Sequence, residues 1–297
     1  MDNRHAYIIL AHGEFELLSI LLSSIDDFRN DIYVHIDAKS KGYNIESIKK
    51  IVKHANIDIC SEIKVNWGGY SIVKAYMLLF EKAIRTYHSY YHVISGVDLP
   101  LMTQDRIHEL LAVPEYEYIH FTSNPMQAEF LERVDYYHFF QEYVKYKHVG
   151  TLFKALEKTS ILIQKLIGIH RIDGSFVLQK GCNWVSITHG CVEYILSKKK
   201  FIDRTFRYSY IADEMFIQTV VVNSPYMDHV WKKSYSDDIK DALRFIDWNR
   251  GLPYTFTTED YNELIESNCL FARKFSLIKD REIVERIAKH AIGDTCK

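Results

Sequence analysis

Two kinds of residue in this chain could do chemistry together: a carboxylate pair, Asp213-Glu214, and a set of C-terminal cations, Arg244, Arg250, Arg273 and Lys274. Segment 208–218 reads as a loop that delivers both carboxylates to the start of an apolar helix, with Asp213 as N-cap and Glu214 as the first helical residue. There, unpaired backbone N–H groups and the helix dipole favour an ionised carboxylate, and an ionised glutamate can take a proton from a hydroxyl. The plainer alternative is that both carboxylates only cap the helix. Arginine offers phosphate oxygens a bidentate fork and lysine a point charge. An Asp-x-Asp pair, a common holder of a divalent cation against a diphosphate, occurs nowhere in the sequence. A diphosphate here would have to be met by the fixed cations, each of which, taken singly, also reads as an ordinary solvated side chain.

The elements that must position these groups are legible from periodicity. Residues 7–11 and 32–37 are short β-rich runs separated by a stretch, 15–24, with apolar residues at helical spacing. That is a βαβ unit and predicts a parallel sheet. A further strand at 57–60 leads through Asn66-Trp67-Gly68-Gly69 into a helix over 71–87, and another buried strand at 91–95 ends in Gly96-Val97-Asp98-Leu99-Pro100. Thr103 then caps a helix over 104–112. In open α/β sheets ligands sit beyond the carboxyl ends of the strands. That rule singles out His12, Asp37, Trp67 and Asp98, although each alone also fits a turn or cap.

From Met126 to Lys180 the composition changes: aromatic at Tyr136 to Phe140, then basic and amphipathic over 145–171. Lys145, Lys147, Lys154, Lys158, Lys165 and Arg171 are opposed there only by Glu157. Such a stretch can lie on an anionic membrane or hold an acidic acceptor, or be a surface helix with a solvated basic face. The chain reads as one α/β domain: a nucleotide-binding part over 1–125, an inserted, mainly helical, acceptor-side region over 126–180, and a catalytic and diphosphate-binding part over 181–297.

With 297 residues, 47% of them hydrophobic, the chain can bury a sizeable core, so disorder is excluded as the default. A formal net charge of −2 leaves no global basic field for unspecific nucleic-acid binding. The five cysteines, Cys60, Cys182, Cys191, Cys269 and Cys296, are scattered and odd in number, which argues against a complete disulfide framework. No segment sustains the roughly 18 apolar residues of a membrane span. A cytoplasmic location, with peripheral contact at the inner membrane face through 145–171, is the expectation.

The ordered set of motifs resembles the core-2/I-branching β-1,6-N-acetylglucosaminyltransferase family, which includes protein xylosyltransferases and bacterial relatives. The matching stretches are Ala6 to His12, Tyr33 to Ser40, Asn66 to Ser71, Ile94 to Leu101, Gly181 to Trp184, Ala212 to Glu214, Leu243 to Trp248 and Leu270 to Phe275; the region 126–180 matches poorly. The resemblance implies a GT-A-like fold, a UDP-sugar donor, no metal ion or other cofactor, and inversion at the anomeric carbon. It makes Glu214 the base and places Lys274 at the diphosphate, with Arg250 or its rival Arg244 as partner and Arg273 beside them. His12 and Asp37 fall near the nucleotide, and Trp67, Gly68, Ser95, Asp98, Trp184 and Asp213 near the sugar or the acceptor. The acceptor would be a glycan or a lipid-linked oligosaccharide, of the kind used by bacterial surface-polysaccharide enzymes. Animal members resemble Golgi membrane proteins with luminal disulfides, a pattern this sequence lacks, and Asn183 stands where glutamine or serine-glutamine forms are expected. Two other readings stay open: a non-catalytic UDP-sugar or glycan binder, and glycoside hydrolysis by Asp98 and Glu214 across a sugar.

Overall fold

The computed structural model of the chain describes residues 3–122, 128–145, 150–236 and 238–293. Met126 and Lys147, both part of the middle stretch, and Cys296 lie outside them; the other cysteines are buried and free. In chain order the elements are β1 (His5–Ala11), α1 (Phe15–Ser24), β2 (Asn30–Ile36), α2 (Ile45–Lys49), β3 (Asn56–Cys60), α3 (Ser71–Ala83), β4 (Tyr90–Ser95), β5 (Leu99–Pro100) and α4 (Gln104–Leu110). They continue through α5 (Ala128–Asp135), α6 (Gly150–Leu166), β6 (Ser186–Thr188), α7 (His189–Ser197), α8 (Lys199–Phe206) and α9 (Phe216–Val222). The chain closes with β7 (Arg244–Ile246), α10 (Tyr261–Glu266), β8 (Phe271–Arg273) and α11 (Arg281–Ala291).

The main sheet has the order β3-β2-β1-β4-β6, parallel except for β6, which runs antiparallel to β4. β1 is apolar almost throughout because both of its faces are covered. Its side chains alternate between two cores, as the strand period of two requires. Tyr7, Ile9 and Ala11 join α1 and α11 on one face. Ala6 and Ile8 face α3, α7 and α9 on the other. A small second sheet, β5-β8-β7, extends from the end of β4.

The expected βαβ unit and strands are present, with α3 ending at Ala83, short of residue 87. Thr103 caps α4, its Oγ1 accepting from Arg106 N at 3.3 Å. The antiparallel β6 differs from a purely parallel sheet; it is only three residues long, too short to carry a periodicity. Because β1 is followed spatially by β2 on one side and β4 on the other, the strand order reverses between β1 and β4. That reversal opens a crevice beyond their carboxyl ends, where α/β sheets bind ligands. No helix among the described residues is long and apolar enough to cross a membrane.

Candidate active site

A cavity of about 860 Å³ occupies this crevice. Its walls come from strand ends (Ala11, His12, Asp37 and Ser95), from the loop before α3 (Trp67 and Gly68), and from the segment before α9 (Asp213 and Glu214). Trp184 and Arg273 close it from the side of the second sheet.

The Trp67 loop is shaped by backbone that needs glycine. Gly68 sits at φ +74°, and a Cβ there would meet Gln141 Nε2 at 2.7 Å. A Cβ on Gly69 would lie 2.5 Å from the Glu142 carboxylate. That carboxylate accepts from Ser71 N and Ser71 Oγ, both at 2.9 Å, and from Asn66 Nδ2 at 3.0 Å. Glu142 therefore clamps both ends of the loop, leaving the Trp67 ring 53% exposed at the cavity mouth with Lys145 Nζ 4.3 Å from its centroid.

The carboxylate pair is built differently from the expectation. Residues Ala212–Glu214 form one 3-10 turn, and α9 begins only at Phe216, so neither Asp213 nor Glu214 caps a helix. Ile211 enters the turn at φ +52°, a region costly for a β-branched residue. The turn is held on two sides: Ile211 N donates to Gly68 O at 2.9 Å, and Gly181 N donates to Glu214 O at 2.9 Å. Glu214 projects into the cavity with its carboxylate 3.3 Å from Arg133 Nη1 and 3.5 Å from Lys180 Nζ. Asp213 is buried and accepts from Asn183 Nδ2 at 3.1 Å. Burial first, and the neighbouring Glu214 second, push its pKa up to about 7.

On the opposite wall, Arg273 lies 3.7 Å over the Trp184 ring and its Nε stands 3.2 Å from Asp98 Oδ1. Asp98 is fully buried behind Ser95, whose N and Oγ donate to it at 2.9 and 2.6 Å. Burial raises its pKa, opposed by the Arg273 guanidinium. Asp98 is thus an anchor for Arg273, outside the cavity wall, and cannot face Glu214 across a sugar as the hydrolytic pair requires. Asp37 accepts from Lys39 N at 3.0 Å and Val65 N at 3.1 Å, while Lys39 Nζ reaches Asn66 Oδ1 at 2.7 Å.

Three of the four sequence-expected C-terminal cations, Arg244, Arg250 and Lys274, do not line the cavity. Arg244 is 2% exposed and donates to Ala242 O, Val185 O and Ser186 Oγ at 2.9, 2.8 and 3.0 Å, stitching β7 to the main sheet. It is buried framework, and burial lowers its pKa to about 10. Arg250 is held by Asp247, Asp260 and Glu263 and does not line the cavity. Lys274 follows Arg273 directly, its backbone bonded to Tyr254 O and Phe256 N, and is not one of the lining residues. Glu214, His12, Asp37, Trp67, Gly68, Ser95, Trp184, Asp213 and Arg273 do share the cavity. Lys39, Arg133 and Lys180 were given no role from the sequence, while Lys145 was read as part of the basic stretch and Asn183 as a departure within its motif, and neither was expected at the cavity. Lys39 stands two residues after Asp37 and Lys180 immediately before Gly181, but only folding brings Arg133 and Lys180 to Glu214. Among the described residues no group of three or more His, Cys, Asp or Glu side chains is arranged to hold a metal ion.

Residues 5–267 match the Core-2/I-Branching enzyme family. The chain belongs to that family. Membership implies a glycosyltransferase with a sugar donor and a sugar acceptor as substrates, and the parallel-rich sheet flanked by helices is consistent with a GT-A-like fold. The match takes in the Trp67 loop, Trp184 and the Asp213-Glu214 turn of this Core-2/I-branching chain and stops before Arg273 and Lys274. No curated protein matches the chain.

Proposed function

We propose that this chain transfers a sugar, with inversion and without a metal ion, from a UDP-sugar to a hydroxyl of a glycan acceptor, with Glu214 as the base. The observation that carries this reading is that Glu214 and Arg273 line one cavity at the strand-order reversal, a carboxylate on one wall and a guanidinium on another. The nucleotide would lie across the ends of β1 and β2, near His12 and Asp37. The acceptor would enter past Trp67, whose exposed ring offers a sugar an apolar face.

In the reaction Glu214 removes the acceptor hydroxyl proton, the acceptor oxygen forms a bond to the sugar C1 from the face opposite UDP, and the C1–O bond to UDP breaks. The electron pair leaves with the diphosphate, which develops negative charge toward Arg273. Arg273 is fixed beforehand by Asp98 and the Trp184 ring, so it need not reorganise as that charge grows. GlcNAc is the donor sugar favoured by the family, with xylose second, and the acceptor is a surface-polysaccharide or lipid-linked glycan.

Purified protein is incubated with a panel of UDP-sugars and glycan acceptors, with and without EDTA, and UDP release is followed. The expected result is acceptor-dependent release that EDTA leaves intact. Loss of release in EDTA would contradict the metal-free step, and no release with any donor would favour a binding protein.

A further inference from the structure

α6 is turned inside out relative to an ordinary surface helix. Its buried side chains beyond Gly150 are polar, Glu157 and Gln164. Glu157 Oε2 accepts from Phe140 N at 2.9 Å, and its Oε1 pairs with His138 Nδ1 at 2.7 Å. Gln164 accepts from Tyr137 N at 2.7 Å and donates to Tyr137 O at 3.0 Å. These bonds tie the inward face to the aromatic segment over 137–140.

The outward face is apolar. Leu152, Leu156, Leu162, Ile163, Leu166 and Ile167 are all exposed, Leu166 at 78% and Leu152 at 60%. Their spacing places them in one stripe at a period of 3.6 residues. Lys154 and Lys158 lie on one side of the stripe, beyond Leu162, exposed and without an ion pair among the described residues. Lys165 on the same flank bonds Glu132 of α5. The only acidic residue of the helix, Glu157, points inward, so the outer surface is apolar and cationic with no counter-charge of its own. A soluble helix reverses this pattern, and a continuous apolar surface of this kind marks an interaction site.

The charge selects the occupant. A second copy of the chain docked face to face with its helix antiparallel would set lysines against lysines. A bilayer carrying anionic headgroups satisfies both features: the stripe enters the acyl boundary while the lysines extend to the phosphates. The helix is also joined to the site. Phe153 packs against Tyr143 with centroids 5.0 Å apart, Glu142 clamps the loop of Trp67, and Lys145 lies over its ring.

We propose that α6 is a peripheral docking helix for an anionic phospholipid surface, which it meets with its Leu/Ile stripe and Lys154 and Lys158. Docking through it sets the Trp67 rim of the cavity beside acceptors carried on lipid. That last consequence rests on the transferase reading; the lipid binding does not, and it is measured without any sugar donor.

The test is co-sedimentation of the full chain with phosphatidylcholine vesicles, with and without about one third phosphatidylglycerol. The expected result is binding to the anionic vesicles at least about tenfold tighter than to neutral ones, weakened by high salt. Leu156→Asp with Ile163→Asp should lower that binding about tenfold or more, as should Lys154→Glu with Lys158→Glu, with unchanged thermal melts. Because the altered side chains face outward, folding is expected to survive. Should a variant not fold, the lipid and salt dependence of the wild type decides. Equal or absent binding to the two vesicle types, or double variants that bind like wild type, would overturn the proposal. So would a solution dimer that Leu156→Asp converts to monomer, since a second copy would then be what covers the stripe.

Discussion

At the scale of single residues, the proposed mechanism separates groups that would act on substrate from groups that hold the frame. Glu214→Gln keeps the shape of the side chain but removes its capacity as a base, so transfer falls by about 10²–10⁴-fold while UDP binding persists. Steady-state rates with calorimetric UDP binding check this; wild-type turnover would remove Glu214 from the mechanism. The two arginines are expected to fail in different ways. Arg273→Ala lowers kcat by about 10²–10³-fold, because it removes a preorganised donor, and it also lowers the melting temperature, because buried Asp98 loses its cation. Arg244→Ala leaves buried carbonyls without their donors and costs roughly 3 kcal/mol of stability, read by denaturant unfolding. Asp213, pushed up to about 7 by burial and by Glu214, changes charge in the working range. The rate–pH profile of the wild type therefore has an inflection near pH 7 that Asp213→Asn removes.

At the scale of elements, the turn that carries Glu214 depends on how closely its neighbours approach. A Cβ on Gly181 would stand 1.8 Å from His120 O, so Gly181→Ala forces apart the segment that receives the Glu214 carbonyl. The expected cost is about 3 kcal/mol or more, with turnover falling further than UDP affinity. Unfolding curves and kcat for the variant check it, and a stable, active Gly181→Ala would show that the segment can move. The same elements show what a sequence can and cannot disclose. The strands β1 to β4 and the helices α1 and α4 were legible because each buries an apolar face at its own period, whereas β5 to β8 are only two or three residues long and carry none. So were the strand-end residues His12 and Asp37, since a βαβ pattern implies where its ligands lie. The turn at Ala212–Glu214 was misread as a helix start because Asp followed by an apolar run is the signature of a cap, while Ile211 at positive φ leaves no mark in sequence. Arg244 was misplaced for a similar reason: an arginine buried by long-range backbone acceptors looks like any other arginine until β7 is paired. Arg133, 81 positions from Glu214, is a contact of tertiary origin alone.

At the scale of the whole molecule, β1 and β4 meet α4 through a buried histidine cluster in which His92 Nε2 lies 3.1 Å from His5 Nδ1, and His5 stacks on His108. Burial holds His5 and His92 well below the usual histidine range and lowers His108 to about 4. With folded values below the unfolded one, the unfolded chain binds the extra protons, so these groups remove stability as pH falls from about 6.5 toward 4. Glu117, raised by burial to about 7, acts in the opposite sense, its contribution being present at acid pH and lost as pH rises toward 7. Between pH 7 and pH 5 the melting temperature of His108→Gln should therefore fall less than that of the wild type, and that of Glu117→Gln should fall more. Thermal melts across this range check both, and parallel curves for all three proteins would show that neither group titrates on unfolding. On the proposed mechanism the fold places a carboxylate, Glu214, and a guanidinium, Arg273, around one donor. A crystal structure of the chain with UDP-GlcNAc tests that most directly: the diphosphate should lie against Arg273 with the anomeric carbon turned toward Glu214, and a diphosphate seated instead on Arg133 and Lys180, or outside the cavity, would contradict it.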